Sequence, residues 1–351
     1  MESDHIIYRP FRNSDLEEIV KIWNETTEIA GLRQGIDWAL FHQTVLSKPY
    51  FSREYFLVAV DTSAERVFPH DGKIIGFIHG GFSPNKTMDG LDTTHGCIAM
   101  LIVEKNENEE FRKAVTAKLL TLLEEVYRKN GAEVLTAGAV YPDAPFYFGM
   151  YVGGESYGIH EKNSFANSLL KKNGYVLYKR YDILKVNLQN YYSPYTRQRR
   201  AIQSNFDMRS VFYPMPATWW EAVARCTLEC RRYELYPKNE DTRCANVLVE
   251  RMIIPVEEQK NKENDGNTAS VKTERRYAGI HHLEVEPDFR RQGLGKYLVK
   301  AILEIFQKKD VKSVEFLIPE DDPAARRIFF DLNPTSINSG LVYRKKLVER
   351  N

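Results

Sequence analysis

The sequence has few cysteines, no long apolar run and no metal-binding spacing. Its cysteines, Cys97, Cys226, Cys230 and Cys244, fit neither a disulfide framework nor a zinc site. No run reaches the roughly 18 apolar residues that a membrane-spanning helix needs. The eight histidines form no HExxH pattern. We therefore expect a cytoplasmic protein without metal and without membrane association.

The chain also carries almost no net charge. Lys and Arg total 49 against 48 Asp and Glu, for a formal net charge of +1. This balance argues against a general nucleic-acid coat, although it leaves a local basic groove possible. Residues 191–200 interleave tyrosine with arginine, a mixture that can suit single-stranded nucleic acid. An ordinary linker is the better interpretation, and we expect no nucleic-acid partner.

An internal repeat organises the chain. Its 351 residues, of which 43% are hydrophobic, suffice for two domains at about 150 residues each. Each half contains a strand, an amphipathic helix with apolar residues at spacings of three and four, and a second strand. These elements are expected at 98–103, 112–129 and 133–139 in the first half, and at 280–285, 293–308 and 314–318 in the second.

A further helix and strand end each half. The order predicts an α/β (α+β) fold with two tandem domains, each a central mixed β-sheet flanked by helices. We place the first domain at 1–190, a linker at 191–207 and the second domain at 208–351. An aromatic insertion at 141–158 precedes the last helix of the first half. It could line an acceptor pocket, but packing is the favoured interpretation.

The second-half helix begins at a turn suited to an anion. Gly293 and Gly295 stand where a strand turns into this helix, and Arg290, Arg291 and Lys296 surround them. Free amides at a helix N-terminus bind phosphate well, and glycine lets the ligand approach the backbone. An ordinary helix-start turn remains the alternative. Neither a Walker loop nor a dinucleotide motif fits, because Tyr297 follows Lys296 and Leu298 occupies the third glycine position.

The residues around this turn sharpen the interpretation. The stretch 283–298, LEVEPDFRRQGLGKYL, resembles the acetyl-CoA signature of the GNAT superfamily of N-acetyltransferases. The first half shares the layout but not the signature, and its turn at 104–110 is acidic. The resemblance thus suggests a tandem GNAT protein with a degenerate N-terminal copy that does not bind CoA.

The resemblance also implies roles for single residues. The backbone of Leu283 and Val285 would pair with the pantetheine arm of acetyl-CoA, and amides from Arg291 to Lys296 would hold its pyrophosphate. Packing in the core is a compatible role for the Leu283 and Val285 side chains. The implied cofactor-binding set is Leu283, Val285, Arg290, Arg291, Gln292, Gly293, Leu294, Gly295, Lys296 and Phe329.

Acetyl transfer needs a proton acceptor for the amine and a donor for the thiolate. Glu284 is the first candidate for the base, with Glu286 and His282 on the same expected strand face and His281 beside them. A merely solvated strand face is the alternative for these residues.

The proton donor is less clear, because Phe329 stands where the family often has tyrosine. Tyr297, Tyr343 or water would then protonate the thiolate. The function expected is transfer of acetyl from acetyl-CoA to a primary amine of a small molecule or peptide. The alternative is a CoA-responsive binding or regulatory protein that has lost catalysis.

Overall fold

The chain forms one continuous mixed sheet covered by helices. The computed structural model describes residues 5–26, 34–63, 72–256 and 273–347. Within these ranges the strands join in a single 13-stranded sheet. None of the helices in the described ranges is long and apolar enough to cross a membrane.

The N-terminal half supplies seven strands and four α-helices of the described structure. The strands are β1 (Ile6–Pro10), β2 (Phe56–Asp61), β3 (Lys73–Pro84), β4 (Leu91–Val103), β5 (Val134–Ala137), β6 (Ile159–His160) and β7 (Val176–Asn187). The helices are α1 (Leu16–Glu25), α2 (Trp38–Phe41), α3 (Glu109–Lys129) and α4 (Ser164–Lys172). Neighbouring residues of β3 face opposite cores, since Phe77 packs in the cluster that contains α1 and Ile78 in the cluster that contains α3.

The C-terminal half repeats this order. Its strands are β8 (Phe206–Phe212), β9 (Glu229–Pro237), β10 (Ala245–Val256), β11 (Thr273–Val285), β12 (Val311–Pro319) and β13 (Ser336–Lys346). Its helices are α5 (Arg197–Asn205), α6 (Trp219–Arg225), α7 (Leu294–Lys308) and α8 (Pro323–Phe330). Leu294, Leu298 and Ile302 of α7 are buried against β10, β11 and β12, as their periodicity predicts.

The last strands of the two halves are exchanged. The sheet order is β1-β2-β3-β4-β5-β13-β7-β12-β11-β10-β9-β8, with β6 paired to β13. The C-terminal strand β13 lies antiparallel between β5 and β7 of the N-terminal half. In turn β7 pairs antiparallel with β12 of the C-terminal half over Tyr181–Asn187. Each half therefore completes the sheet of the other.

The predicted fold class is confirmed, and each strand and helix of the predicted repeat is present with shifted ends. The predicted linker contains regular structure, because α5 begins at Arg197 and β8 at Phe206. The hydroxyl of Thr196 caps α5 by accepting from the Arg199 amide at 3.1 Å. The domain boundaries at 190 and 208 stay a prediction, since the sheet runs across them without a break.

The aromatic insertion at 141–158 packs between the halves, as expected. Its rings Phe146, Tyr147, Phe148, Tyr151 and Tyr157 are all buried. Most of them join the N-terminal core, whereas Phe148 packs with Leu228 and Leu248 of the C-terminal half. The insertion thus serves as an interface.

The strand exchange predicts that residues 1–190 do not fold alone. Without β13, both β5 and the face that buries Tyr343 lose their neighbours, and unpaired strand edges favour aggregation. We expect this fragment to show no cooperative urea transition by circular dichroism, whereas the full chain shows one. A monomeric fragment with a cooperative transition would contradict the exchange.

Candidate active site

A large cleft opens where β11 and β12 separate. The two strands pair in parallel as far as Ile280 and Phe316. Beyond this point β11 continues along β10 to Val285, whereas β12 continues along β7 to Pro319. The opening between them has a volume of about 1150 Å³, which exceeds the roughly 300–1,000 Å³ of most small-molecule pockets.

The edge of β11 is free along this cleft. In the described residues no strand pairs with 281–285 on the β12 side. The side chains of Leu283 and Val285 turn towards α7, since a Cβ at Gly295 would lie 3.3 Å from Val285 Cγ2 and 3.5 Å from Leu283 Cδ2. The side chains therefore pack against the core, whereas the backbone edge faces the cleft.

A β-bulge at His282 precedes this edge. Leu248 pairs with His281 and Val247 with Leu283, so His282 has no partner across β10. Its φ of 42° lies in the left-handed region, which is uncommon for residues other than glycine. Bulges interrupt the ladder and redirect the strand, often beside functional sites.

The anion turn has the conformation that its glycines predicted. Gly293, with φ of 84°, precedes the first turn of α7, and a Cβ on it would lie 2.5 Å from the Gln198 side-chain nitrogen. That Gln198 amide donates to the Gln292 carbonyl at 3.3 Å, so α5 supports the turn. Both Gly293 and Gly295 line the cleft, as do Arg291 and Leu294. A side chain at Gly293 would therefore displace Gln198 from the turn.

The basic residues of the turn have different partners. Arg290 Nε donates to the Val285 carbonyl at 2.9 Å and so ties the turn to β11. Lys296 Nζ lies 2.8 Å from Asp331, and the neighbouring Lys300 is 3.1 Å from the same carboxylate. These lysines lower the pKa of Asp331.

The opposite wall of the cleft carries Phe329. It is buried in α8 and its ring lies 4.7 Å from that of Phe316. The Asp322 carboxylate caps this helix by accepting from the amides of Ala324 and Ala325 at 3.1 and 2.9 Å. Phe329 thus lies beside the point at which β11 and β12 separate, since Phe316 is the last residue of β12 that pairs with β11.

Neither tyrosine suggested as proton donor lines the cleft. Tyr343 was a wrong candidate, because β13 carries it into the N-terminal half, where its hydroxyl donates to Asn167 at 3.0 Å. Tyr297 is half-buried beside α5, and burial raises its pKa despite a hydrogen bond with Gln203. The strand exchange, which no local pattern shows, explains the wrong expectation for Tyr343.

Glu284 lies at the rim of the cleft on the sheet face away from α7. Its carboxylate accepts from the buried Asn246 side chain at 3.0 Å and lies 3.7 Å from His282 Nε2. The side chain is 44% exposed, so solvent and an incoming molecule can reach it. The bulge places His281 on the same face as Glu284, where it is buried, whereas His282 is exposed.

Comparison with known proteins finds a family match in the C-terminal half. Residues 260–330 match the acetyltransferase (GNAT) family model, and this range contains both walls of the cleft. This region of the chain is therefore similar to GNAT acetyltransferases. An uncharacterized N-acetyltransferase from the lysA 3′ region of Bacillus methanolicus is 44% identical over 46 residues, which are 13% of this chain and 33% of that protein.

Solved structures share the fold over nearly the whole chain. A tandem GNAT protein from the clavulanic acid biosynthesis pathway aligns with 99% of this chain and all of its own, at 12% identity and a TM-score of 0.64. A GCN5-related N-acetyltransferase from Sphaerobacter thermophilus aligns over 99% of this chain and 98% of its own, at 11% identity and a TM-score of 0.61. The glucosamine N-acetyltransferase region of a fungal β-N-acetylglucosaminidase covers 97% of this chain, at 14% identity and a TM-score of 0.64, but this match spans 38% of the fungal chain.

The N-terminal GNAT-like half has a much smaller cavity between its equivalent strands. The space beside β4 and β5 has a volume of about 90 Å³. Arg112 stacks 4.0 Å from the Phe165 ring and donates to the Val103 carbonyl at 3.3 Å, and both residues line this space. Helix α3 begins with Glu109 and Glu110, whose negative charges occupy the end of the helix that would attract an anion.

The structure places residues in the cleft or beside it that the sequence pattern did not single out. Gln198 comes from a segment predicted as linker, and Asn246 from a strand two positions away in the sheet order from β12. Glu315 of β12 is buried, and burial raises its pKa to about 7 although Lys185 Nζ lies 3.4 Å away. A charged residue inside an apolar strand was the available signal for Glu315.

Proposed function

We propose that this protein transfers an acetyl group from acetyl-CoA to a primary amine, and that transfer occurs in the C-terminal half. The observation that carries the proposal is the cleft itself, which joins a free strand edge to a glycine turn at the N-terminus of α7. Both features are made of backbone groups, which suits a donor with an extended arm and a pyrophosphate.

The cleft has suitable groups for the pantetheine arm, the pyrophosphate and the thioester end of acetyl-CoA. The edge of Leu283 and Val285 would pair with the amides of the pantetheine arm. The amides from Arg291 through Gln292, Gly293, Leu294 and Gly295 to Lys296 would hold the pyrophosphate. Arg290 holds the turn against Val285, and Phe329 supplies an apolar wall near the thioester.

The chemistry is direct transfer. The neutral amine nitrogen attacks the thioester carbonyl carbon, a carbon–nitrogen bond forms and the carbon–sulfur bond breaks. Glu284 takes the amine proton, directly or through water, since its carboxylate is exposed at the rim. A backbone amide of β11 near Val285 donates to the developing oxyanion. The thiolate takes its proton from water, because Phe329 has none to give.

A CoA-responsive binding or regulatory protein is the second candidate. Phe329 favours it, since a phenyl ring at this position cannot assist the departure of thiolate. The two candidates share the cleft and differ in turnover. The acceptor of the transferase would be a small-molecule or peptide amine. A cytoplasmic location accords with the unpaired thiols of all four cysteines.

The binding site is tested by Gly293→Asp. The variant adds bulk and negative charge at the turn, and we expect acetyl-CoA affinity measured by calorimetry to fall at least about 100-fold, or roughly 3 kcal/mol. Gly131→Asp is the matched control, because Gly131 has the same φ of 85° but nothing within 4 Å of a Cβ. The Gly131→Asp variant therefore measures the effect of backbone strain alone, without a change in the cleft. Equal affinity of wild type and Gly293→Asp would remove the cleft as the cofactor site.

The base is tested by Glu284→Gln. We expect kcat to fall about 100-fold, within the usual range for loss of a general base, with acetyl-CoA affinity unchanged. Release of CoA thiol is followed with acetyl-CoA and spermidine, glucosamine or a lysine peptide. Glu286→Gln is the comparison. If kcat falls in Glu286→Gln and not in Glu284→Gln, Glu286 is the general base. Tight acetyl-CoA binding by wild type without turnover on any amine would favour the regulatory alternative.

A further inference from the structure

A buried charged cluster joins the two halves behind the cleft. It comprises Glu155 of the insertion, Arg225 at the end of α6, Glu250 of β10 and His281 of β11. Arg225 forms ion pairs with both carboxylates. His281 Nδ1 lies 3.3 Å from Glu155, and its Nε2 lies 3.5 Å from Glu250. Burial alone would raise the pKa of Glu155, but the charges of His281 and Arg225 outweigh it and hold the pKa well below its ordinary value.

This cluster suits neither a metal ion nor a catalytic base. Two carboxylates and an imidazole are metal-ligand types, but the guanidinium of Arg225 already supplies a cation to both carboxylates. His281 has a carboxylate beside each ring nitrogen, so neither nitrogen is directed at an acceptor amine. The arrangement fixes the position of the ring.

The fixed ring adjoins the strained part of the cleft. His281 lines the cleft and is followed directly by His282, the bulge residue with φ of 42°. Such conformations persist only where the surroundings determine them. On the α7 side, the packed side chains of Leu283 and Val285 hold the bulge in place. On the other side, the contacts of His281 with Glu155 and Glu250 hold it.

The N-terminal half holds this cluster in place by several contacts. Lys48 Nζ donates to the carbonyls of Val223 and Ala224 at 2.7 and 2.8 Å, just before Arg225. Trp220 Nε1 donates to the Pro142 carbonyl at 2.7 Å. A Cβ at Gly279 would overlap the Gly153 carbonyl, so the insertion lies directly on β11 two residues before His281.

We propose that Glu155 is a positioning residue through which the N-terminal half completes the C-terminal active site. By holding His281, it maintains the bulge at His282 and hence the alignment of the free β11 edge and Glu284 with the thioester. The catalytic part of this inference rests on the proposed function, whereas the structural part does not.

The test is Glu155→Gln, which keeps the shape of the side chain and removes its charge. We expect hydrogen exchange of amides in 280–286 to accelerate about tenfold or more. With acetyl-CoA and the best amine, kcat should fall about 10- to 100-fold, as misplacement of reacting groups does, with little change in CoA affinity. Glu124→Gln is the matched control, because Glu124 is a buried carboxylate that pairs across the halves with Lys345, away from the cleft.

His281→Gln should reproduce the effect from within the C-terminal half. If Glu155→Gln changes neither exchange nor kcat more than Glu124→Gln does, Glu155 has no positioning role. Faster exchange with unchanged kcat would overturn the link to catalysis. A wild type without transferase activity would refute the proposed function, and hydrogen exchange would still decide whether Glu155 holds the bulge.

Discussion

The pairing of β12 with β7 is the contact on which the site depends. β12 leaves β11 after Phe316, and its remaining residues to Pro319 hydrogen-bond with β7 of the N-terminal half. Without that partner, the end of β12 would have no ladder to follow away from β11. The opening of the cleft therefore depends on β7, a strand of the N-terminal half.

The two halves consequently have different roles in one structure. The C-terminal half keeps the glycine turn and the free strand edge. The N-terminal half has an acidic helix start and a small cavity, but it contributes β7, the aromatic insertion and Glu155. The N-terminal half can lack a binding turn and still support the C-terminal half. The turn requires only a few residues, whereas the support comes from the whole sheet.

Local sequence patterns predicted the local structure well. The periodicity of α7 and the glycines at its start gave the helix and the turn, because side-chain spacing and backbone freedom act within a few residues. Residues 283–298 also led to the GNAT family before any contact was known, and the family match covers them.

Long-range features were not predictable from these patterns. Exchange of β7 and β13 does not alter the periodicity of either strand, so Tyr343 was placed in the wrong half. The bulge at His282 brought His281 to the face of Glu284, although plain alternation predicted the other face, because one unpaired residue shifts the alternation of a strand. Glu155 and His281 are 126 positions apart, and only the folded sheet brings them together.

Calorimetric titration of the full chain with acetyl-CoA tests the central claim most directly. The account predicts one equivalent bound, at the turn of Gly293 and Gly295, with a dissociation constant in the range of about 1–100 μM. Two equivalents would contradict the claim that the N-terminal half is closed to the donor. No binding would contradict the assignment of the cleft between β11 and β12 as an acetyl-CoA site.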